Sequence, residues 1–220
     1  YDINFLTNLF IQKYKPEIAI FIDSEIWPNF IIALKKHKIP VLLLNARISH
    51  RSFQKWRRIK NTAHKDQRGY FKELIRENKL KKKFPFIVMS CSKKNVVRGL
   101  HIQTKKPQGK FVTVMKGKIF DVALDLRKKS KTFGKIYSCV LSEKNSNSIF
   151  IPPGFAHGFQ SLDRETYVIY SCTKYRDKKS EITIDLNDKN LKIKWPSRIR
   201  ILSNKDKKGI SFLNYKKNYI

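Results

Sequence analysis

Acidic side chains are scarce in this chain: 17 Asp and Glu stand against 48 Lys and Arg, for a formal net charge of +31. An imbalance of that size raises nucleic acid or an anionic surface as a partner. However, 36 of the basic residues are Lys, scattered from Lys13 to Lys217, in a chain also rich in Ile and Asn, as AT-biased coding sequence produces. A nucleic-acid site would concentrate Arg with stacking aromatics along one element, so no nucleic-acid partner is expected. The charge reads as solvated surface that can still attract an anionic nucleotide. Cysteine is equally sparse. Cys91, Cys139 and Cys172 are odd in number and lack CxxC spacing, which excludes a disulfide framework and a thiolate zinc site. All three lie in strand-like runs, where a free thiol packs as a small hydrophobe, and a reducing cytoplasm fits them. No run approaches the roughly 18 to 20 apolar residues of a membrane span, so none is expected. Asp2, rather than a basic start, precedes the first apolar run, so secretion is not expected either. The phosphate-loop, GxGxxG and GxSxG patterns are missing, which removes those nucleotide-binding and nucleophile-elbow classes.

What is present suffices for a core: 41% of residues are apolar and 12% aromatic. The pattern changes once along the chain. Up to about residue 60, "INFLTNLFIQKY" and "WPNFIIALKKHK" have helical spacing, "EIAIFI" and "PVLLLN" are continuous apolar strands, and "SHRSFQKWRRIK" starts on a Ser cap and reads as a helix. Alternation of this kind predicts a parallel sheet covered by helices, about half of a doubly wound (Rossmann-like) domain. After about residue 66 come short β-rich runs separated by Gly, Pro, Asn and Asp turns: "FPFIVMSCS", "NVVRGLHIQ", "GKFVTVMKGKIFDVALDLR", "GKIYSCVLS", "SIFIPPG", "HGFQSL", "TYVIYSCTKY", "EITIDL" and "LKIKWP". They predict a mainly β fold, a sandwich or barrel of the jelly-roll type. The expected division is a partial α/β segment over residues 1–62 and a β domain over residues 63–220, joined within "RRIKNTAHKDQRGYFKE".

Two histidines stand in strand settings beside glycine, His101 in "RGLHIQ" and His157 in "IPPGFAHGF". Strict alternation puts His101 and Gln103 on one face and Arg98 out of register with them. Polar side chains facing into a small barrel line a cavity. One His in "LHIQ", without a second in an HxH pair, does not supply a metal set, so a pocket without metal is expected. The chemistry left is proton transfer: a His base, a Tyr acid and a cation to hold an oxyanion or a phosphate.

The series "DQRGYFKE", "VVRGLHIQ", "QGKFVTVMKGKIFDVALDLRKKSKTFGK", "LSEKNSNSIFIPPGFAHGFQSL", "YVIYSCTKY", "LNDKNLKIKWP" and "LSNKD" resembles the dTDP-4-dehydrorhamnose 3,5-epimerase family in order and spacing over about residues 64–206. The resemblance implies a cupin-like jelly roll, a homodimer without metal or other cofactor, and inversion of carbons flanking the 4-keto group of a dTDP-linked sugar. By position it implies His101 as the general base, Asp206 as the carboxylate that orients it, Tyr170 as the acid on the opposite face, and Lys110 as the cation for the enolate oxygen. Arg68, Glu73 and Arg98 match nucleotide- or phosphate-binding positions, and Gln103, His157 and Tyr175 are taken as further substrate-binding residues. Val88 and Met89 stand where the family has a Gln facing the nucleotide, and Ser171 where a Lys follows the catalytic Tyr. Epimerisation at one centre of a related deoxysugar, or an inactive sugar-nucleotide-binding or chimeric protein, is the alternative.

The stretch "PEIAIFIDSEIWPNFIIALKKHKIPVLLLNARISHRSFQKWRRI" resembles the N-terminal domain of 3-deoxy-D-manno-octulosonic acid (Kdo) transferase, with Glu25 matching a site carboxylate and Arg47 a motif arginine. Only about residues 10–60 carry it, without the donor-binding lobe, so Kdo transfer by this chain is not expected.

Overall fold

The computed structural model describes residues 4–17, 19–22, 28–44 and 58–220. Glu25 and Arg47 lie outside the described residues. The chain divides into two compact units, 1–56 and 57–220.

The first unit contains α1 (Asn4–Tyr14), β1 (Ala19–Ile22), α2 (Pro28–Lys36) and β2 (Val41–Leu44). The two strands pair in parallel from Ala19↔Val41 to Ile22↔Leu44, as continuous apolar strands around a crossover helix require. Proline opens α2, where its missing N–H costs nothing, and Lys35 and Lys36 complement the dipole in its last turn. Ile11, Ala33 and Leu34 form its small buried cluster.

The second unit is a sandwich of two five-stranded sheets. One has the order β10 (Ile136–Ser142), β9 (Lys118–Asp125), β12 (Phe155–Ser161), β7 (Val97–Gln103), β14 (Glu181–Thr183). The other has the order β3 (Arg58–Lys60), β11 (Asn147–Ile151), β8 (Lys110–Lys116), β13 (Glu165–Cys172), β6 (Phe86–Lys93). A separate hairpin, β4 (Ala63–Asp66) with β5 (Gly69–Lys72), stands outside both, followed by the short helix α3 (Glu77–Leu80). Along β9 the side chains alternate as a two-sided strand must. Phe120, Val122 and Leu124 join the core on the outer face with Leu100, Ile102, Ile184 and Leu191, while Asp121 turns to the face shared with His157. The first sheet is thus packed on both faces, and its central strand β12 is buried throughout.

Several expectations change. Residues 58–60, read as the end of a helix, form a strand antiparallel to β11, and Asn61 reinforces it by donating from Nδ2 to Ser148 Oγ at 2.8 Å. The rest of that expected helix lies outside the described residues. "LKIKWP" is not a strand. Leu191, Ile193 and Trp195 alternate because one side of an irregular extended segment is buried on the outer core, and Trp195 Nε1 donates to Leu186 O at 3.0 Å. Alternation there reports burial, not a hydrogen-bonded ladder. Cys91 is exposed on edge strand β6, whereas Cys139 and Cys172 are buried. Two helices close the chain, α4 (Asn204–Lys207) and α5 (Phe212–Tyr219), capped by Ser203 and Ser211, whose hydroxyls accept the backbone N–H of Asp206 and Asn214. Among the described residues no helix is long and apolar enough to cross a membrane.

Candidate active site

A cavity of about 620 Å³ opens between the sheets, within the range of small-molecule sites. His101 reaches it from β7 and His157 from β12; Lys110 and Tyr170 reach it from β8 and β13 of the facing sheet. Base and acid candidates therefore stand on opposite walls.

The register of β7 explains its contribution. His101 pairs with His157 but Arg98 pairs with Phe159, so three steps on β7 match two on β12. This bulge adds one residue and reverses the parity, which brings Arg98 to the cavity together with His101 and Gln103 instead of out of register with them. Gly99 sits in the bulge with φ +122°, and a Cβ there would lie 2.5 Å from Gly158 Cα and 2.6 Å from His157 O. Only glycine permits the two strands to approach so closely at that backbone conformation.

His101 Nε2 and Asp206 Oδ1 are 2.6 Å apart, with the carboxylate side chain 4% exposed and the imidazole 27%. Burial alone would raise the Asp206 pKa. The bond from His101, the charge it can carry, the Ser203 cap and the Gly99 N–H outweigh burial and hold it below the ordinary carboxylate value. An Nε2–H bound to a carboxylate leaves Nδ1 with the free lone pair, the arrangement of an oriented general base. A second dyad lies deeper: His157 Nε2 and Asp121 Oδ2 are 2.8 Å apart, with side-chain exposures of 3% and 0%.

Tyr170 stands half-buried across the cavity, its ring 6.2 Å from that of His157, and its hydroxyl shares a 3.0 Å hydrogen bond with Ser90 Oγ. Burial pushes its pKa well up, against the weaker effects of Ser90 and Arg98, so the phenol holds its proton and can donate it. Burial lowers the Lys110 pKa, while the negative charges of Glu181 and Asp121 help to keep the ammonium.

The other predicted positions fare differently. Arg98 lines the cavity and donates to Ser92 Oγ and Cys91 O, at 2.9 and 3.0 Å. Gln103 lines it too, but its amide is occupied by Lys106 O and the Asp177 N–H. Tyr175 is 68% exposed and packs on Phe86, outside the cavity wall. Arg68 and Glu73 are not brought to this cavity. Arg68 is paired with Asp66 at the hairpin turn with its side chain 90% exposed, and Glu73 is paired with Arg76. Val88 and Met89 do line the cavity. Among the described residues no three His, Cys, Asp or Glu side chains gather as a metal site.

Sequence reasoning missed Asp121, Ser90 and the trio Glu181, Arg176 and Lys205. Asp121 left a signal, a carboxylate in the middle of the apolar strand "KIFDVALD", which requires a partner if buried. The trio comes from three separate segments and left none.

A jelly roll whose cavity sets a carboxylate-bound histidine opposite a tyrosine and a lysine holds the groups that proton transfer next to an anionic centre needs. Comparison with known proteins gives it a family. Residues 51–214 match the family model for dTDP-4-dehydrorhamnose 3,5-epimerase, and residues 1–92 match that for 3-deoxy-D-manno-octulosonic-acid transferase (kdotransferase). The chain is 43% identical over 150 residues to the dTDP-4-dehydrorhamnose 3,5-epimerase of Methanothermobacter thermautotrophicus, covering 64% of this chain and 81% of that protein. With its counterpart from Shigella flexneri it is 40% identical over 156 residues, covering 68% of this chain and 86% of that protein. The crystal structure of the Legionella pneumophila dTDP-6-deoxy-D-glucose-3,5-epimerase, in complex with dTDP-4-keto-L-rhamnose, superposes with a TM-score of 0.68 at 39% identity, covering 71% of this chain and 87% of that one. The chain belongs to the dTDP-4-dehydrorhamnose 3,5-epimerase family.

Proposed function

We propose that the protein inverts C3 and C5 of dTDP-4-dehydro-6-deoxy-D-glucose to give dTDP-4-dehydro-L-rhamnose, with no metal in the reaction. The observation that carries this reading is the placement of His101 and Tyr170 on facing sheets of one cavity. Inversion requires that a proton leave one face of a carbon and return to the other. His101 takes the proton α to the ketone through Nδ1 and becomes an imidazolium stabilised by Asp206. The electron pair moves to the ketone oxygen, where Lys110 meets the developing charge; a preorganised donor of this kind is worth about 3 to 4 kcal/mol. Tyr170 then returns a proton to the opposite face, and solvent resets both groups. His157, held by Asp121, lines the same cavity.

A homodimer in the cytoplasm belongs to this reading. Ile87, Val88 and Met89 on edge strand β6, and Tyr70 and Phe71 on the hairpin, are exposed apolar side chains that a second copy would cover. Arg68 and Glu73, on and beside that hairpin, would then serve the nucleotide end of the second copy's cavity. Residues 1–62 are read as a Kdo-transferase-like partial α/β segment preceding the epimerase domain, without transferase activity of their own.

The test is NMR of the purified protein with dTDP-4-dehydro-6-deoxy-D-glucose in deuterated water. Product with the L-rhamno configuration and deuterium at both carbons is expected. Exchange at C3 alone would make the protein a mono-epimerase, and absence of exchange at either carbon would refute the proposal.

A further inference from the structure

Three charged groups at the cavity have no role in the steps above. Glu181, on β14, has a side chain only 7% exposed. It takes Arg176 Nε at 2.7 Å on one oxygen and Arg176 Nη2 at 3.0 Å on the other, and the second oxygen also receives Lys205 Nζ. All three residues line the cavity beside His101. β14 pairs with β7 so that Thr183 stands opposite His101 and Glu181 opposite Gln103, and Lys205 precedes Asp206 on α4. The trio therefore shares α4 with the dyad and adjoins β7 through β14.

We propose that Glu181 is a positioning residue for His101. It ties β14 to α4 through Lys205 and to the segment after β13 through Arg176, and its negative charge offsets those two cations where the base must accept a proton. This rests on the proposed epimerase reading, since a base that cycles between neutral and charged forms is the group such an offset serves.

The charged and titratable groups around His101 set the sign of the effect. Asp206 and Glu181 are negative; Arg176 and Lys205 come from the same side, Arg98 from β7, and Lys110 and Tyr170 from the facing sheet, with the His157–Asp121 pair on β12 and β9. Glu181 feels the charge of His101, and against burial the combined cations depress its own pKa to about 2. Removing its charge leaves Arg176 and Lys205 uncompensated and disfavours the imidazolium. Removing Lys205 leaves Glu181 less neutralised and favours it.

Opposite shifts are the signature a merely structural role would not produce. In Glu181→Gln the acid limb of the kcat/KM profile, and the His101 ring titration followed by NMR, should move down by about one pH unit, the scale on which folded environments move histidines. In Lys205→Gln both should move up by a smaller amount, because that side chain is 46% exposed, and Glu181→Asp should restore the limb. Limbs and titrations that coincide with wild type, or that move the same way in both variants, would overturn the proposal. If Glu181→Gln does not fold, the half-exposed Lys205→Gln and Arg176→Gln decide it by their upward shift. The ring titration needs no turnover, so a wild-type protein lacking exchange refutes the epimerase reading while this inference is still decided by the titration.

Discussion

Replacing Asp206 with Asn tests the dyad at nearly constant shape. The carboxylate is 4% exposed, 2.6 Å from His101 Nε2, and also accepts the Gly99 N–H. An amide that keeps its oxygen on Gly99 turns its NH2 toward His101, so Nε2 must become the acceptor and the ring proton moves to Nδ1. The Nδ1 lone pair that a general base needs is lost, and so is the negative charge that would stabilise the imidazolium. General-base catalysis is worth about 10²- to 10⁴-fold, which at about 1.4 kcal/mol per tenfold is roughly 3 to 6 kcal/mol of barrier. Asp206→Asn should therefore lower kcat for deuterium exchange by that factor, with a thermal melt that remains cooperative. A folded variant within about threefold of wild type would refute the tautomer argument, because even the low end of the range is far larger.

Lys110→Met should lower kcat by about 10²- to 10³-fold, the effect of losing one oxyanion donor, without loss of thermal stability, since burial already works against the ammonium; a large fall in melting temperature would contradict this. Gly99→Ala should cost about 3 kcal/mol in denaturant unfolding, because its Cβ would meet Gly158 and His157 backbone at a strained φ; wild-type stability would show that the bulge is not as tight as described. The Glu181 carboxyl is depressed from 4.5 to about 2 in the fold. Its contribution to stability is thus complete above pH 4.5 and lost as pH falls toward 2. The stability difference between wild type and Glu181→Gln should shrink over that window, and a constant difference would count against the ion trio.

The jelly roll was legible because each apolar run ends at Gly, Pro, Asn or Asp, and nearly every such run from "FPFIVMSCS" to "TYVIYSCTKY" is a strand or a strand pair. His101 and His157 were legible as polar residues in strand settings. Other features were not, for local reasons. Arg98 was put out of register because a bulge changes parity without a marker beyond Gly99. "LKIKWP" has the period of a strand but no ladder to join. The position of Asp206 beside His101 depends on a four-residue helix, too short for any periodicity, and only the family motif indicated it. Asp121 was passed over because the strand sequence alone does not say which face of β9 is lined by polar partners. Arg68 and Glu73 belong to a hairpin outside both sheets, and a motif match does not tell which cavity it serves.

The central claim is that the base acts from one sheet and the acid from the other. It is tested most directly by following deuterium incorporation and product configuration together by NMR for wild type, His101→Asn and Tyr170→Phe. Wild type should show exchange with inversion at C3 and C5, His101→Asn no exchange, and Tyr170→Phe exchange with retained configuration. Undiminished exchange in His101→Asn, or normal inversion in Tyr170→Phe, would contradict it.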